Sequence, residues 1–143
     1  MLVIKRDGRL ESVKFDKITA RIEKLCYGLN RDYIDIIAIV KKIIEGIYDR
    51  VTTSAIDNLA AETVATMTVY YPDYAILAAR IAVSNLHKET SKSFSSTIKR
   101  LYTYVNPSTG QNASLIDQAI YNIVASHAAS LDNAIVHERD FFY

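Results

Sequence analysis

The stretch VIKRDGRLESVKFDKI, residues Val3–Ile18, predicts how the fold begins. Apolar residues lie on both sides of the pair Asp7 and Gly8, and glycine accepts a positive φ without steric cost, so a short β-hairpin is expected. Cationic side chains crowd this turn at Lys5 and Arg6. Because neighbouring side chains on a strand point to opposite faces, these two reach one ligand only if the hairpin curls.

Helical periodicity follows the hairpin. Apolar residues recur at three- and four-residue spacing, which is typical of amphipathic helices. The pattern predicts helices over residues 15–29, 33–48 and 55–70, and a fourth from residue 72 that could continue unbroken to Tyr104. The turn-forming NPSTG, Asn106–Gly110, interrupts the pattern, and one more helix is predicted over residues 115–124. We expect a mainly α fold, with about four bundled helices capped by a small N-terminal hairpin sheet and followed by a short helical segment.

Composition excludes several classes of function. The chain has 143 residues and a net charge of +1, which argues against a general nucleic-acid binder, because such proteins neutralise many phosphates with many cations. The single cysteine, Cys26, cannot form an internal disulfide, and His87, His127 and His137 lack the close spacing of a zinc site. No long apolar run indicates a membrane span or signal peptide. We expect a soluble cytoplasmic protein with no metal ligands.

Chemistry-bearing residues cluster near the hairpin and near one helix start. Thr53 and Asp57 stand four apart, on one face of a helix whose N-terminus favours anions. The alternative interpretation is plain capping by Thr53 and a solvated Asp57. For the hairpin cations the alternative is a charged edge that discourages strand pairing. No glycine-rich phosphate loop and no Ser-His-Asp or Cys-His constellation is present, so we assign no catalytic residue.

Three segments resemble the start of the large subunit of class I ribonucleotide reductase, eukaryotic type. They are VIKRDGRLESVKFDKI, VTTSAIDNLAAET (residues 51–63) and PDYAILAARIAVSNLHKE (residues 72–89). Shorter matches recur at YVNPSTG and ERDFFY. The resemblance implies an ATP-cone, an allosteric nucleotide-binding domain, over residues 1–92. Residues 93–143 would form a helical segment leading toward a catalytic barrel that lies beyond this chain.

The resemblance also implies site residues, all of which match nucleotide contacts of the family. These are Lys5, Arg6 and Glu11 of the hairpin, Lys17 and Ile18 of the next helix, Thr53 and Asp57 at the reading position, and Lys88 as a triphosphate contact. ATP would activate and dATP would inhibit, with Mg²⁺ accompanying the nucleotide.

The family's holoenzyme reduces ribonucleoside diphosphates to deoxyribonucleoside diphosphates. By resemblance, the full-length large subunit forms dimers and higher oligomers and works with a small radical-generating subunit, without nucleic-acid or membrane partners. Its thiyl-forming cysteine and redox cysteine pair lie beyond this chain, and Cys26 is not among them. We therefore expect the chain alone to be inactive.

Two other interpretations remain open. The chain could be a degenerate ATP-cone kept only as an oligomerisation module, against which the intact contact residues argue. It could also be a transcriptional regulator that combines an ATP-cone with a zinc ribbon, but no cysteine quartet is present.

Overall fold

The computed structural model describes residues 1–142 and is mainly α-helical, as predicted. Tyr143, the last residue of the predicted helical segment, lies outside the described residues. The chain divides into two compact units, one over Met1–Leu86 and one from His87 onward. Within the described part of the chain, no helix combines the length and the apolar character needed to cross a bilayer.

A three-stranded sheet opens the first unit. Strands β1 (Leu2–Ile4) and β2 (Leu10–Ser12) pair antiparallel, which confirms the predicted hairpin. A third strand, β3 (Val51–Thr52), was not predicted; it pairs parallel to β1 and gives the order β2-β1-β3. The buried Val51 lies opposite Val3 in this register, so β3 covers the edge of β1 that does not pair with β2.

The hairpin turn spans Lys5–Gly8. The Gly8 N–H donates to the Lys5 carbonyl at 2.9 Å, and the Lys5 N–H donates to the Arg9 carbonyl at 2.8 Å. Gly8 has a φ of +84°, a conformation that disfavours any residue with a Cβ. Arg6 lies inside this turn and not on a strand. The alternation of side chains along a strand therefore does not force Lys5 and Arg6 to opposite faces, and both can reach one ligand.

Four helices complete the first unit, each close to a predicted one but shorter. They are α1 (Phe15–Leu25), α2 (Ile36–Glu45), α3 (Thr53–Thr66) and α4 (Asp73–Glu89), with a 3₁₀ turn at Met67–Val69 after α3. Side-chain caps set two of the starts. The Ala38 N–H donates to Asp35 at 2.9 Å before α2, and the Ala55 N–H donates to Thr52 at 3.1 Å before α3.

The core of the first unit draws on all four helices. Its most buried side chains, each at most 2 % exposed, are Ile22 of α1, Cys26 directly after α1, Ile39 and Ile43 of α2, Val64 of α3, and Leu77 and Ile81 of α4. Burying one such side chain contributes about 1.5–3 kcal/mol relative to leaving it in water. This burial explains why α2 is helical although β-branched residues fill it, since packing of one apolar face outweighs a weak intrinsic propensity.

The second unit contains three further helices, α5 (Phe94–Tyr102), α6 (Gln118–Ser126) and α7 (Ala128–Ala134), and a 3₁₀ helix at His137–Phe142. The expected unbroken helix to Tyr104 is wrong: α4 ends at Glu89 and α5 begins at Phe94. The Ser93 hydroxyl accepts from the Ser96 N–H at 3.2 Å and so starts a new helix.

After α5 the structure agrees with the sequence prediction at one point and differs from it at two. The predicted break at Asn106–Gly110 is a turn closed by an antiparallel bridge between Val105 and Asn112. The next helix begins at Gln118 and not at residue 115, because the Asp117 carboxylate caps it by accepting from the Ala119 N–H at 2.9 Å. The short helix α7 had no sequence prediction.

Candidate functional site

Two ion-paired groups meet where the hairpin faces α1 and α3. In the first group, Glu11 of β2 lies 3.0 Å from the Lys5 ammonium and 3.7 Å from the Lys17 ammonium. The hydrogen bond and charge of Lys5 lower the pKa of the Glu11 carboxyl, with a smaller contribution from Lys17. Glu11 therefore stays ionised and holds two lysines at one corner of the sheet.

The second group centres on Asp57, which lies one turn into α3 and is only 7 % exposed. Arg6 donates from Nη2 to Asp57 Oδ2 at 2.9 Å, and Arg21 of α1 donates from Nη1 to Asp57 Oδ1. A buried carboxylate between two guanidiniums requires both charges, because burial of an unpaired charge is costly. The interpretation of Asp57 as a solvated side chain is therefore wrong.

Arg21 extends this group to α4. Its Nη2 donates to the Ser84 hydroxyl at 3.1 Å and to the Asn85 side-chain oxygen, Oδ1, at 2.5 Å. Asn85 is 4 % exposed, and its amide nitrogen has no hydrogen-bond partner within residues 1–142. An acceptor added at that point would be stabilising, because an unsatisfied buried donor costs about 1–3 kcal/mol.

Three further residues were predicted for the site, namely Thr53, Ile18 and Lys88. Thr53 is the first residue of α3 and half-buried, but the capping oxygen belongs to Thr52, so the capping interpretation of Thr53 is wrong. Ile18 is half-buried in α1 beside Lys17. Lys88 lies in the last turn of α4 and belongs to the second unit.

Sequence reasoning missed three of the contributing residues, namely Arg21, Ser84 and Asn85. A signal existed for Arg21, which stands four residues after Lys17 and therefore on the same face of α1. Nothing in the local pattern indicated Ser84 and Asn85, since their role depends on how α4 packs against α1.

The charge balance of the two groups favours an anionic ligand. Four cations (Lys5, Arg6, Lys17 and Arg21) are paired with two carboxylates (Glu11 and Asp57), so positive charge is in excess. Ammonium and guanidinium donors bind phosphate oxygens through charge-assisted hydrogen bonds. The Arg6 side chain is 31 % exposed and the Lys17 side chain 60 %, so a phosphate in solution can reach both.

The first 89 residues match the family model described as the ATP cone domain. The match therefore covers the hairpin, β3 and helices α1 to α4, including every residue of the two ion-paired groups.

The whole chain is also similar to part of several longer proteins. The whole chain is 59 % identical to the ribonucleoside-diphosphate reductase large chain of Schizosaccharomyces pombe and 57 % identical to that of Neurospora crassa. It is 56 % identical to the ribonucleoside-diphosphate reductase large subunit of Danio rerio. The chain spans only 15 to 18 % of the length of these relatives.

Proposed function

The chain belongs to the ATP-cone family, and we propose that its first unit binds ATP or dATP as allosteric effectors within a ribonucleotide reductase large subunit. The observation that supports this most is the buried Asp57 carboxylate, held by Arg6 and Arg21 beside the Lys5, Glu11 and Lys17 corner. Such a site offers cations for phosphates and an acceptor for the sugar.

The triphosphate would bind by exchanging partners with the carboxylates. Lys5 and Lys17 are already oriented by Glu11, so little side-chain ordering is needed when phosphate oxygens arrive. Arg6 differs from these two lysines, because its guanidinium donates to Asp57 and not to Glu11. A phosphate that draws Arg6 away would leave Asp57 paired with Arg21, which couples phosphate binding to the state of the buried carboxylate.

Discrimination between ATP and dATP would depend on Thr53 and Asp57. The two nucleotides differ by one ribose hydroxyl, which a carboxylate can bind only as an acceptor. Arg21 links Asp57 to Ser84 and Asn85, so a change at the sugar would alter the hydrogen bonds that Arg21 makes to α4. Ile18 supplies an apolar neighbour, and Lys88 at the end of α4 is proposed as a further triphosphate contact.

Mg²⁺ would enter with the nucleotide and not at a site made by the protein alone. Both carboxylates of the two groups, Glu11 and Asp57, are already paired with lysine or arginine. Mg²⁺ keeps several waters and commonly binds through substrate phosphates. The residues therefore fit a metal carried by the triphosphate, whose charge it would partly neutralise.

The complete subunit, by the same proposal, reduces ribonucleoside diphosphates with a small radical-generating subunit, and nucleotide binding changes its self-association. An effector shifts such an equilibrium only by its different affinity for each assembly. The chain alone should produce no deoxynucleotide. An ATP-cone used only for oligomerisation is the alternative, and it would bind no nucleotide.

Calorimetric titration of the chain with Mg-ATP and with Mg-dATP tests the proposal. We expect saturable binding of both, weakened in Lys5→Ala by about 1.5–3 kcal/mol, the contribution of hydrogen bonds to a charged group. Lys41→Ala is the control, since Lys41 is an exposed lysine of α2 outside the two ion-paired groups. Absence of saturable binding in the wild-type chain would reject the proposal and favour the oligomerisation alternative.

A further inference from the structure

A cluster of metal-ligating side chains lies in the second unit and shares no side chain with the two ion-paired groups of the first unit. It consists of His87, near the end of α4, and of His137 and Asp140 in the C-terminal 3₁₀ helix. One ligating atom of each side chain lies within 4.8 Å of the other two. A 3₁₀ helix has three residues per turn, so His137 and Asp140 project from the same side of it.

The His87 ring is held in place by its neighbours. Its Nε2 lies 2.7 Å from Asp140 Oδ2. Phe141 packs edge-on against it with ring centroids 5.4 Å apart, and His137 does so at 5.8 Å. The carboxylate oxygen only accepts, so Nε2 carries a hydrogen in this pair, and a metal would replace that hydrogen bond with the hydrogen of the neutral ring then on Nδ1. Because the ring already faces the carboxylate, a metal has less ordering to impose.

His137 has the second contact that metal-binding histidines characteristically make. Its Nε2 lies 3.1 Å from the backbone carbonyl of Lys92. A carbonyl only accepts, so Nε2 carries the hydrogen, and the lone pair of the neutral ring is on Nδ1. Ligating histidines commonly donate their other ring N–H to a backbone carbonyl or carboxylate, which fixes the tautomer and the ring orientation.

From this geometry we propose that His87, His137 and Asp140 bind a divalent transition metal of the Zn²⁺ type. Imidazole nitrogens suit zinc and its neighbours, whereas magnesium and calcium prefer oxygen ligands. Three protein ligands leave a fourth tetrahedral position for water. Metal–ligand bonds of about 2.1 Å place tetrahedral ligands closer together than 4.8 Å, so the side chains rotate inward on binding, for which the half-exposed Asp140 has room.

The sequence did not predict this cluster, because its two histidines are far apart along the chain. His87 and His137 are separated by a loop of roughly 50 residues, which includes α5, α6 and α7, and only folding brings them together. A metal at this point would clip the end of α4 to the C-terminal 3₁₀ helix. Because closing a long loop restricts the unfolded chain most, the clip would stabilise the second unit.

Titration with Zn²⁺, and with Co²⁺ as a spectroscopic probe, tests the site on the 143-residue chain. The ligand variants are Asp140→Asn, which preserves shape and a hydrogen bond to His87, and His137→Gln. The matched control is His127→Gln, since His127 is exposed and its Nδ1 lies 3.1 Å from the Ile123 carbonyl. Circular dichroism of each variant checks that helix content is retained.

We expect one Zn²⁺ per wild-type or His127→Gln chain, with a higher melting temperature in zinc, and affinity at least about 10-fold lower in either ligand variant. Bound Co²⁺ should give the intense visible absorption of tetrahedral coordination without a thiolate band. No binding, or equal affinity in all four proteins, would overturn the proposal and leave His87 and Asp140 as a simple hydrogen-bonded pair. A thiolate band would assign the metal to Cys26 and overturn it equally.

Discussion

Asp57 in the first unit and Asp132 in the second are both carboxylates that accept several hydrogen bonds, but their donors differ. Asp57 is buried between the guanidiniums of Arg6 and Arg21. Asp132 of α7 is half-buried and accepts from the hydroxyls of Ser93 and Ser95 and from the Ser95 N–H, at 2.7–3.1 Å.

The two arrangements differ in the charge of the donors that an anionic ligand could contact. The donors around Asp132 are neutral hydroxyl and N–H groups, and they join α7 to the start of α5. The donors around Asp57 are charged, and one of them, Arg6, comes from an exposed turn. A neutral network of this kind is structural, whereas a charged one at the surface can exchange its carboxylate for a phosphate.

The largest effect we expect is on stability, from removal of the buried carboxylate. Asp57→Ala leaves two arginines facing one another, and breaking a buried ion pair is strongly destabilising. Because the Arg6 and Arg21 side chains are 31 % and 23 % exposed, solvent screening reduces the expected cost to about 3 kcal/mol. Urea unfolding of Asp57→Ala beside Asp132→Ala measures it. A larger loss for Asp132→Ala would reverse the comparison.

A smaller effect is expected on nucleotide affinity. Arg6→Ala should weaken triphosphate binding by about 1.5–3 kcal/mol, as expected when hydrogen bonds to a charged group are lost. Arg9→Ala is the matched control from the same hairpin, because Arg9 is 77 % exposed and pairs with Asp7 at 2.7 Å. Calorimetry of both variants decides it. Equal titration curves for Arg6→Ala and Arg9→Ala would show that Arg6 contributes no more to nucleotide binding than an exposed surface charge does.

The smallest effect is the pH dependence contributed by Asp132. Hydrogen bonds from Ser95 lower the pKa of this carboxyl in the folded protein, so its ionised form is stabilised by folding. That stabilisation is complete above the ordinary carboxyl range, about pH 4, and is lost as the pH falls through the lower folded pKa. The melting temperatures of wild type and Asp132→Asn should therefore differ at neutral pH and converge in acid. A difference independent of pH would contradict this.

Much of the first unit was predictable from its sequence because its signals are local. Asp7 and Gly8 predicted the hairpin, and apolar spacing predicted four helices. The strand β3 escaped prediction because two residues, Val51 and Thr52, have no periodicity and pair only after α2 has returned the chain to the sheet. The break between α4 and α5 was missed because the polar run HKETSKS, residues 87–93, contains no glycine or proline to mark a helix end, while the Ser93 cap determines where the new helix starts.

The candidate site was predictable in part for the same reason. The resemblance named Lys5, Arg6, Glu11, Lys17 and Asp57, which the fold brings into two adjoining ion-paired groups. It did not name Arg21 or Asn85, whose contacts depend on helix packing. Nucleotide contacts by these residues, by Ile18, Thr53 and Lys88, stay predictions. So does the domain boundary after residue 92.

The most direct test concerns what the charge on Asp57 does for regulation. In the complete large subunit, reductase activity would be measured against rising dATP for wild type, Asp57→Asn and Asp132→Asn. Asparagine keeps the shape of Asp57 but removes the charge that holds Arg6 and Arg21. We predict that Asp57→Asn is no longer inhibited by dATP and responds to it as to ATP, while Asp132→Asn is inhibited like wild type. Undiminished inhibition of a folded Asp57→Asn subunit would contradict the account.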